Sequence, residues 1–480
     1  MTKITLVLGI VFWCNSVFGQ PCKCDSLFIE TQKIVENNYA GWFDKVNSTN
    51  LNTYKNWTKT YYELSAKTTS DSICFATLQQ WITFFKDSHL KLKFNKPRYP
   101  SKQTIQVNKN IEILTSALTE KQIENYLANQ KNLDPIEGIY ISSSYTLGIT
   151  KINEHLFYAT ILTTTNSNWK AGEVKLTIEK NNNTYKGTFY QGDKTDTSQH
   201  LVKLVDNILD FDIIFFEKIS PNVTTKRDIK EYEMSKDKYA PSITFKGNDM
   251  AVFTFPSFQN NSYEQLEYLL KKYEKQLETI PYWTIDLSNN SGGDYEVGMQ
   301  LLKYFYTKPI IEYKAEMRMT PQNFDTWFNA YIKDIYENLD TKNKKEYDDY
   351  FDSMKANYGK FFNTSGKAID TITLEKTLPF PKKIGILINK NTVSSGELFT
   401  VIARQSDKVI VFGENSGGMM DYGNIVQYKT TCTALKVQLP INRQLWLNTG
   451  FSVDKEGIKP TIYLTGENWL TQVYQALKKE

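Results

Sequence analysis

Apolar positions change their spacing three times along the chain, and each change predicts a different kind of element. Between Asp25 and Lys86 they recur roughly three and four apart, with Ile73, Leu78, Trp81, Ile82 and Phe85 following an Asp71 cap, which predicts helices. The pattern stops at Asp87-Ser88-His89. Beyond it Leu90, Leu92 and Phe94 alternate with lysines, the period of a half-buried strand, so His89 falls on a helix-to-strand junction. From Gly138 to Gln191 short alternating runs are separated by Asn, Gly and Lys turns, which predicts consecutive antiparallel strands in a meander.

After Pro241 the pattern becomes α/β. An amphipathic helix over Ser262–Ile280 opens on Ser262 and Gln265 in capping-box spacing and leads into a strand over Tyr282–Leu287. A small polar loop, Ser288 to Gly293, and a helix from Asp294 to Tyr306 follow. The unit recurs as strand Ile384–Ile388, loop Asn391–Gly396, helix Glu397–Gln405 and strand Val409–Phe412. These readings divide the chain into a leader at 1–19, a helical domain at 20–130, a β-rich insert at 133–230, and an α/β core at 236–480 with a helical insertion at 315–365.

Composition narrows the function classes. With 480 residues, 40% hydrophobic, 23% charged and a net charge of +4, the chain is neither disordered nor a polyanion binder, so nucleic acid is not an expected partner. Lys3, the apolar run Ile4 to Trp13 and the small residues near Gly19 form an export-signal pattern. That run is too short to span a bilayer, and no later stretch is long enough. An exported, periplasmic or extracellular protein without an integral membrane segment after signal cleavage is therefore expected, with cell-envelope association left open. Removal of the leader leaves Cys22, Cys24, Cys74 and Cys432, of which Cys22 or Cys24 is expected to pair with Cys74. Their spacing does not suit zinc, and neither a metal nor a cofactor is expected. Only three histidines occur, His89, His155 and His200, and the last two lie on the β-rich insert.

Loops leaving the carboxyl ends of strands form the binding crevice of an α/β sheet. Two such loops here are small and polar. Thr392 to Glu397 places Ser394 and Ser395 at a helix start, where free N–H groups and the helix dipole favour developing negative charge. Gly292-Gly293 lets backbone N–H groups approach a substrate carbonyl. A serine beside such donors is a candidate nucleophile and needs a base. Taken singly, a serine at a helix start is usually a cap, and Gly-Gly after a strand is usually a turn.

Asp286 to Gly293 resembles the "DLRxNxGG" loop, and Thr392 to Glu397 the "TxSxxE" turn, of the tail-specific or carboxyl-terminal-processing serine peptidases. Gly413 to Gly418 is similar to their "GExTxG" segment and Gly457-Ile458-Lys459-Pro460 to "GVxPD". The four landmarks occur in the family's order. The resemblance implies a ClpP/crotonase-like α/β catalytic core, here joined to the amino-terminal helical domain and the inserted antiparallel β-rich domain. It implies Ser394 as nucleophile. In the Ser-Lys branch a lysine ends the segment that starts at Gly413, and here that position is Met419, whose thioether cannot take a proton. The lysine-free branch, which resembles the tricorn protease core, uses a histidine preceded by serine, matched by Ser88-His89, and an acid matched by Asp454. Asp454 in place of the more familiar Glu, and Thr461 in place of Asp, are departures.

The resemblance thus implies an exported serine endopeptidase acting on peptides or proteins. His89 is the base, Asp454 and the Ser88 hydroxyl orient it, and N–H groups of Gly292 or Gly293 and of Ser395 hold the oxyanion. Arg443, in a "PxxR"-like strand, could bind a substrate carboxylate or form an ordinary ion pair. Glu397 reads as a structural first-turn acid. The competing readings are a catalytically silent relative that binds peptides or cell-envelope partners, and an acyl hydrolase acting on thioesters. No PDZ pattern stands where the β-rich insert lies.

Overall fold

The sheet that carries the candidate site is built from six strands whose order in space follows their order in the chain: β1 Ser242–Lys246, β2 Met250–Thr254, β3 Tyr282–Asp286, β4 Lys383–Ile388, β5 Val409–Gly413 and β6 Ile462–Tyr463. Pairs from β2 to β6 are parallel. Continuously apolar strands such as β4, with Ile384, Ile386 and Ile388 all buried, suit a parallel sheet covered on both faces. Helices Ser262–Lys272, Ser395–Ala403 and Trp469–Lys479 belong to this unit.

The computed structural model describes residues 23–94, 111–259, 261–431 and 435–479. The expected leader, Cys22 and Cys432 lie outside them. Among the described residues no helix is long and apolar enough to cross a membrane. The chain forms two compact units, one from residues 1–99 with 243–480 and one from residues 100–242.

In the first unit, helices Cys24–Asn38, Leu51–Ala66 and Asp71–Ile82 and the short turn Thr83–Phe85 bury Phe28, Val35, Leu78, Trp81 and Phe85. Ile73, expected on the buried face, is exposed; its neighbour Cys74 turns inward and forms a disulfide with Cys24. A second sheet receives the strand that follows His89: Lys91–Phe94 runs antiparallel to Leu435–Gln444, with Lys91 opposite Gln438. Tyr422–Lys429 pairs with the other side of that strand. The expected helical insertion is present as Pro321–Trp327, Lys333–Glu337 and Thr341–Lys355. The helix expected over Asp294–Tyr306 is instead two short turns, Glu296–Met299 and Leu302–Phe305.

The second unit is a closed eight-stranded antiparallel barrel running from Gly138–Ile141 to Phe215–Ser220, and the first and last strands pair. The expected meander is therefore its first part. Alternation places Leu147, Ile149, Phe157, Leu176 and Ile178 in one apolar core, and closure leaves no free edge. His155 is exposed in a turn, and His200 lies on a strand with its Nε2 2.7 Å from Ser198 Oγ.

Candidate active site

Adjacent parallel strands bring the two small loops together. Asp286 at the end of β3 stands opposite Leu387 of β4, so the segments that follow leave the sheet side by side. Thr392 Oγ1 donates to the Leu287 carbonyl (2.7 Å), and Val393 N–H donates to the Asn290 carbonyl (3.0 Å). Asn290 is fully buried: its Nδ2 donates to the Phe255 carbonyl (3.0 Å), and its Oδ1 accepts from Gly292 N–H (3.0 Å). A buried amide satisfied at both ends fixes the loop as firmly as regular structure does.

Ser394 stands at the strand-to-helix turn with φ 56° and ψ −123°, a conformation that L residues rarely adopt and that costs of order 1–3 kcal/mol. The surroundings hold it there. Ser394 N–H donates to Glu397 Oε2 (3.0 Å), its carbonyl accepts from Glu397 N–H (2.8 Å), and Gly417 N–H donates to the Thr392 carbonyl (2.9 Å). Gly292 leaves the room the serine needs: a Cβ there would stand 2.7 Å from Ser394 Cβ and 3.1 Å from Ser394 Oγ. At Gly293, with φ 135°, a Cβ would stand 2.2 Å from the Phe258 carbonyl oxygen. Ser395 Oγ donates to the Gly293 carbonyl (2.5 Å). Among the described residues neither Gly293 N–H nor Ser395 N–H has an acceptor, whereas Gly292 N–H is held by Asn290.

Glu397 links this loop pair to the next segment. Its fully buried carboxylate accepts from Ser416 Oγ (2.5 Å) and Gly418 N–H (2.7 Å) on one oxygen, and from Ser394 N–H and Met419 N–H (2.8 Å) on the other. Burial raises its pKa, and the four donors act against that rise. Two residues on, Met420 and Asp421 both donate their N–H groups to Asp454 Oδ1, each at 2.8 Å. Residues 416–421 are thus held between two carboxyl groups.

Asp454 is half-buried, and its pKa is pushed up to about 8, first by burial and then by the charges of Asp87 and Asp421. Asp421 is buried and accepts from Trp446 Nε1 (2.9 Å), Val453 N–H (2.8 Å), Asp454 N–H (3.2 Å) and Ser452 Oγ. Asp87 accepts from Tyr39 O–H and from His89 N–H, both at 2.8 Å, which closes an Asx turn. His89 is buried, its Nδ1 has no hydrogen-bond partner, and its pKa is lowered chiefly by burial, with Asp87 and the Tyr422 main chain opposing. Gln438 Nε2 donates to the His89 carbonyl (3.3 Å), tying the turn to the second sheet.

Of the residues singled out from the sequence, Gly292, Gly293, Ser394 and Ser395 converge in one group, and Asp454 meets Asp87, the neighbour of His89, in another. No hydrogen bond joins the His89 ring to Ser394 or Asp454 among the described residues. Ser88 is exposed and has no hydrogen-bond partner among them. Arg443 is occupied elsewhere: it binds Asp44 (2.9 and 3.1 Å), Glu316 (2.9 Å) and Asn448 (3.0 Å), matching its charge twice over. Met419 contributes its main chain, as noted. Sequence reasoning gave Asn290 and Asp87 no role and left Asp421, with Tyr422, as a residue that could line the cleft; an Asp two residues before a histidine at a helix end is the one local signal that points to such a turn. No grouping of His, Cys, Asp and Glu among the described residues has the form of a metal site.

Residues 249–464 match the model of peptidase family S41. Over that stretch the chain is similar to this family. The matched stretch is 216 of the 480 residues, a little under half of the chain. No curated protein matches the chain in sequence. Among solved structures it is similar to mature CPAF complexed with lactacystin (13% identity, 95% of this chain and 97% of that chain, TM-score 0.45). It is also similar to a putative S41 protease from Bacteroides fragilis (11%, 96% and 97%, 0.35) and to the tricorn protease (9%, 95% and 37%, 0.39). At such identities nothing about activity passes from those proteins to this one.

Proposed function

We propose that the chain is an exported serine endopeptidase in which Ser394 attacks the scissile carbonyl. The observation that carries this reading is the turn itself: Ser394 at φ 56° against Gly292, flanked by the unaccepted N–H groups of Gly293 and Ser395. Those two donors would hold the oxyanion, each worth about 3 kcal/mol of barrier. Gly292 serves the site by its missing side chain, its N–H being held by Asn290.

His89 takes the Ser394 proton and returns it to the leaving amine. Burial lowers its pKa, so the ring is neutral near pH 7, the form a base requires. The positive charge the ring gains favours an ionised Asp454, whose pKa burial and the charges of Asp87 and Asp421 raise in the resting enzyme. Asp87 fixes the turn that carries the ring and takes over the orienting part expected of Ser88. Apo catalytic hydrogen bonds are commonly long and tighten around bound substrate. Export rests on the leader pattern at Lys3 to Gly19.

The missing His89–Ser394 hydrogen bond favours a second reading, a silent relative that binds peptides. Labelling by a fluorophosphonate probe separates the two. Labelling that Ser394→Ala abolishes supports the peptidase; no labelling of folded protein that still binds peptide saturably supports the binding module. Parallel assays on thioesters and peptides exclude or establish acyl-hydrolase activity.

A further inference from the structure

Tyr39 caps the carboxyl end of helix Cys24–Asn38 and is fully buried, yet its hydroxyl meets a carboxylate. It donates to Asp87 Oδ2 (2.8 Å), while Asp87 Oδ1 takes the His89 N–H (2.8 Å). One carboxyl group therefore joins the phenol to the main chain of the histidine. The ring packs against Phe85 (5.5 Å between centroids) and Tyr422 (5.6 Å). Its main chain is tied as well: Arg318 Nη1 donates to the Tyr39 carbonyl (2.8 Å), and Ala40 N–H donates to the Pro440 carbonyl (3.0 Å). Gly41 makes room for the hydroxyl. A Cβ there would stand 2.3 Å from Tyr39 Oη, although the φ of −77° at Gly41 is one that any residue adopts. Burial, then the charges of Asp87 and Tyr422, raise the Tyr39 pKa well above its ordinary value, so the phenol keeps its proton and stays a donor.

We propose that Tyr39 is a positioning residue of the catalytic unit that acts through Asp87: its hydroxyl aims that carboxylate at the His89 turn and favours the charged form. The proposal rests on the reading of Ser394 as nucleophile and His89 as base. A hydrogen bond donated to a buried carboxylate stabilises the anion, and a packed ring holds the donor in one place. Asp87 also faces Asp454, so the two carboxyl groups titrate as a pair, and a donor lost from the pair makes it harder to ionise. The other charges that act here are Asp421 and Lys45 on Asp454, and Lys91 on the His89 ring. Turnover requires Asp454 to ionise as the ring gains its proton. Tyr39 should therefore show in the pH dependence of the rate.

The test is the second-order rate constant for fluorophosphonate labelling of the full chain, followed across a pH series that brackets about 8. Tyr39→Phe keeps the ring between Phe85 and Tyr422 and removes the donor. Its acid limb is expected to lie about one pH unit above the parent's, so that labelling is about tenfold slower below the limb and approaches the parent's rate above it. A ring-fluorinated tyrosine in place of Tyr39, a stronger donor of nearly the same shape, should move the limb the other way. A loss by the same factor at every pH, or a limb that neither replacement moves, would overturn the proposal and leave Tyr39 a packing residue. A parent that the probe does not label at Ser394 would overturn the Ser394 reading, and the part of Tyr39 in catalysis with it.

Discussion

Glu397 and Asp454 grip the same short segment from opposite ends, yet their surroundings differ in the one respect that decides what a buried carboxyl group can do. Glu397 faces four donors at the start of a helix, and burial is what raises its pKa against them. Asp454 has two main-chain donors on a single oxygen and faces the charges of Asp87 and Asp421. Burial raises both pKa values. At Glu397 the donors favour a fixed anion, which suits a structural clamp. At Asp454 the neighbouring acids hold the proton until a positive charge arrives nearby, which suits a partner for a histidine that becomes charged only during turnover.

The strongest way to break this contrast is to remove one carboxyl group at a time. Asp454→Asn keeps an oxygen for the Met420 and Asp421 N–H groups and loses the capacity to ionise. Its kcat on a peptide substrate is expected to fall about 10³-fold or more, the scale seen when one member of a catalytic unit is removed. A fall of less than tenfold would leave Asp454 outside the catalytic unit.

Stability should show the reverse order. Glu397→Gln replaces one acceptor oxygen by an NH₂ group that must face N–H or O–H donors, leaving buried donors unpaired. Urea unfolding is expected to show a loss of about 2–4 kcal/mol for this variant and none for Asp454→Asn. Equal losses for the two would mean that the donors around Glu397 do not distinguish it.

The contrast also shows why only part of the site was legible beforehand. Ser394, Gly292 and Gly293 are local features: a strand, a turn and a helix start are readable from spacing, and their encounter follows from two adjacent parallel strands. The barrel was half visible, because Gly138 to Gln191 alternates cleanly, while the pairing of Ile139 with Ser220 that closes it depends on strands beyond that run. The roles of Asp421 and Asp87 were not legible in that way. Their roles come from long-range partners, Trp446 and Val453 for one and Tyr39 for the other, and an isolated Asp carries no periodicity. Arg443 stayed open between a substrate carboxylate and an ordinary ion pair for the same reason: Asp44 and Glu316, which make it an ion pair, reach it from distant parts of the chain.

A pH series sharpens the comparison further. Between the ordinary Asp pKa of 3.8 and about 8, folded Asp454 keeps a proton that the unfolded chain has released, so its contribution to stability falls as pH rises through that window and levels off above it. Asp421, Asp87 and the ammonium of Lys45 are the charges acting on it. Asp454→Asn removes this loss. The variant is therefore expected to exceed the parent by roughly 1–2 kcal/mol at pH 8, after allowance for solvent screening of a half-buried group, and to match it near pH 4. A gap that is constant with pH would show that Asp454 has the same proton affinity folded and unfolded.

The smallest effect is expected beside His89. Ser88 precedes the histidine in sequence, but its side chain is exposed and unbonded among the described residues, whereas Asp87 is buried and closes the turn through His89 N–H. Ser88→Ala should therefore change kcat/KM by no more than about twofold and stability by no more than about 0.5 kcal/mol, as for an ordinary surface substitution. Asp87→Ala should cost far more on both, because it frees the His89 N–H and leaves the buried Tyr39 hydroxyl without its acceptor. If Ser88→Ala instead lowered kcat tenfold with the fold intact, the hydroxyl would have to turn onto the imidazole when substrate binds, and the orienting role would pass from Asp87 back to Ser88.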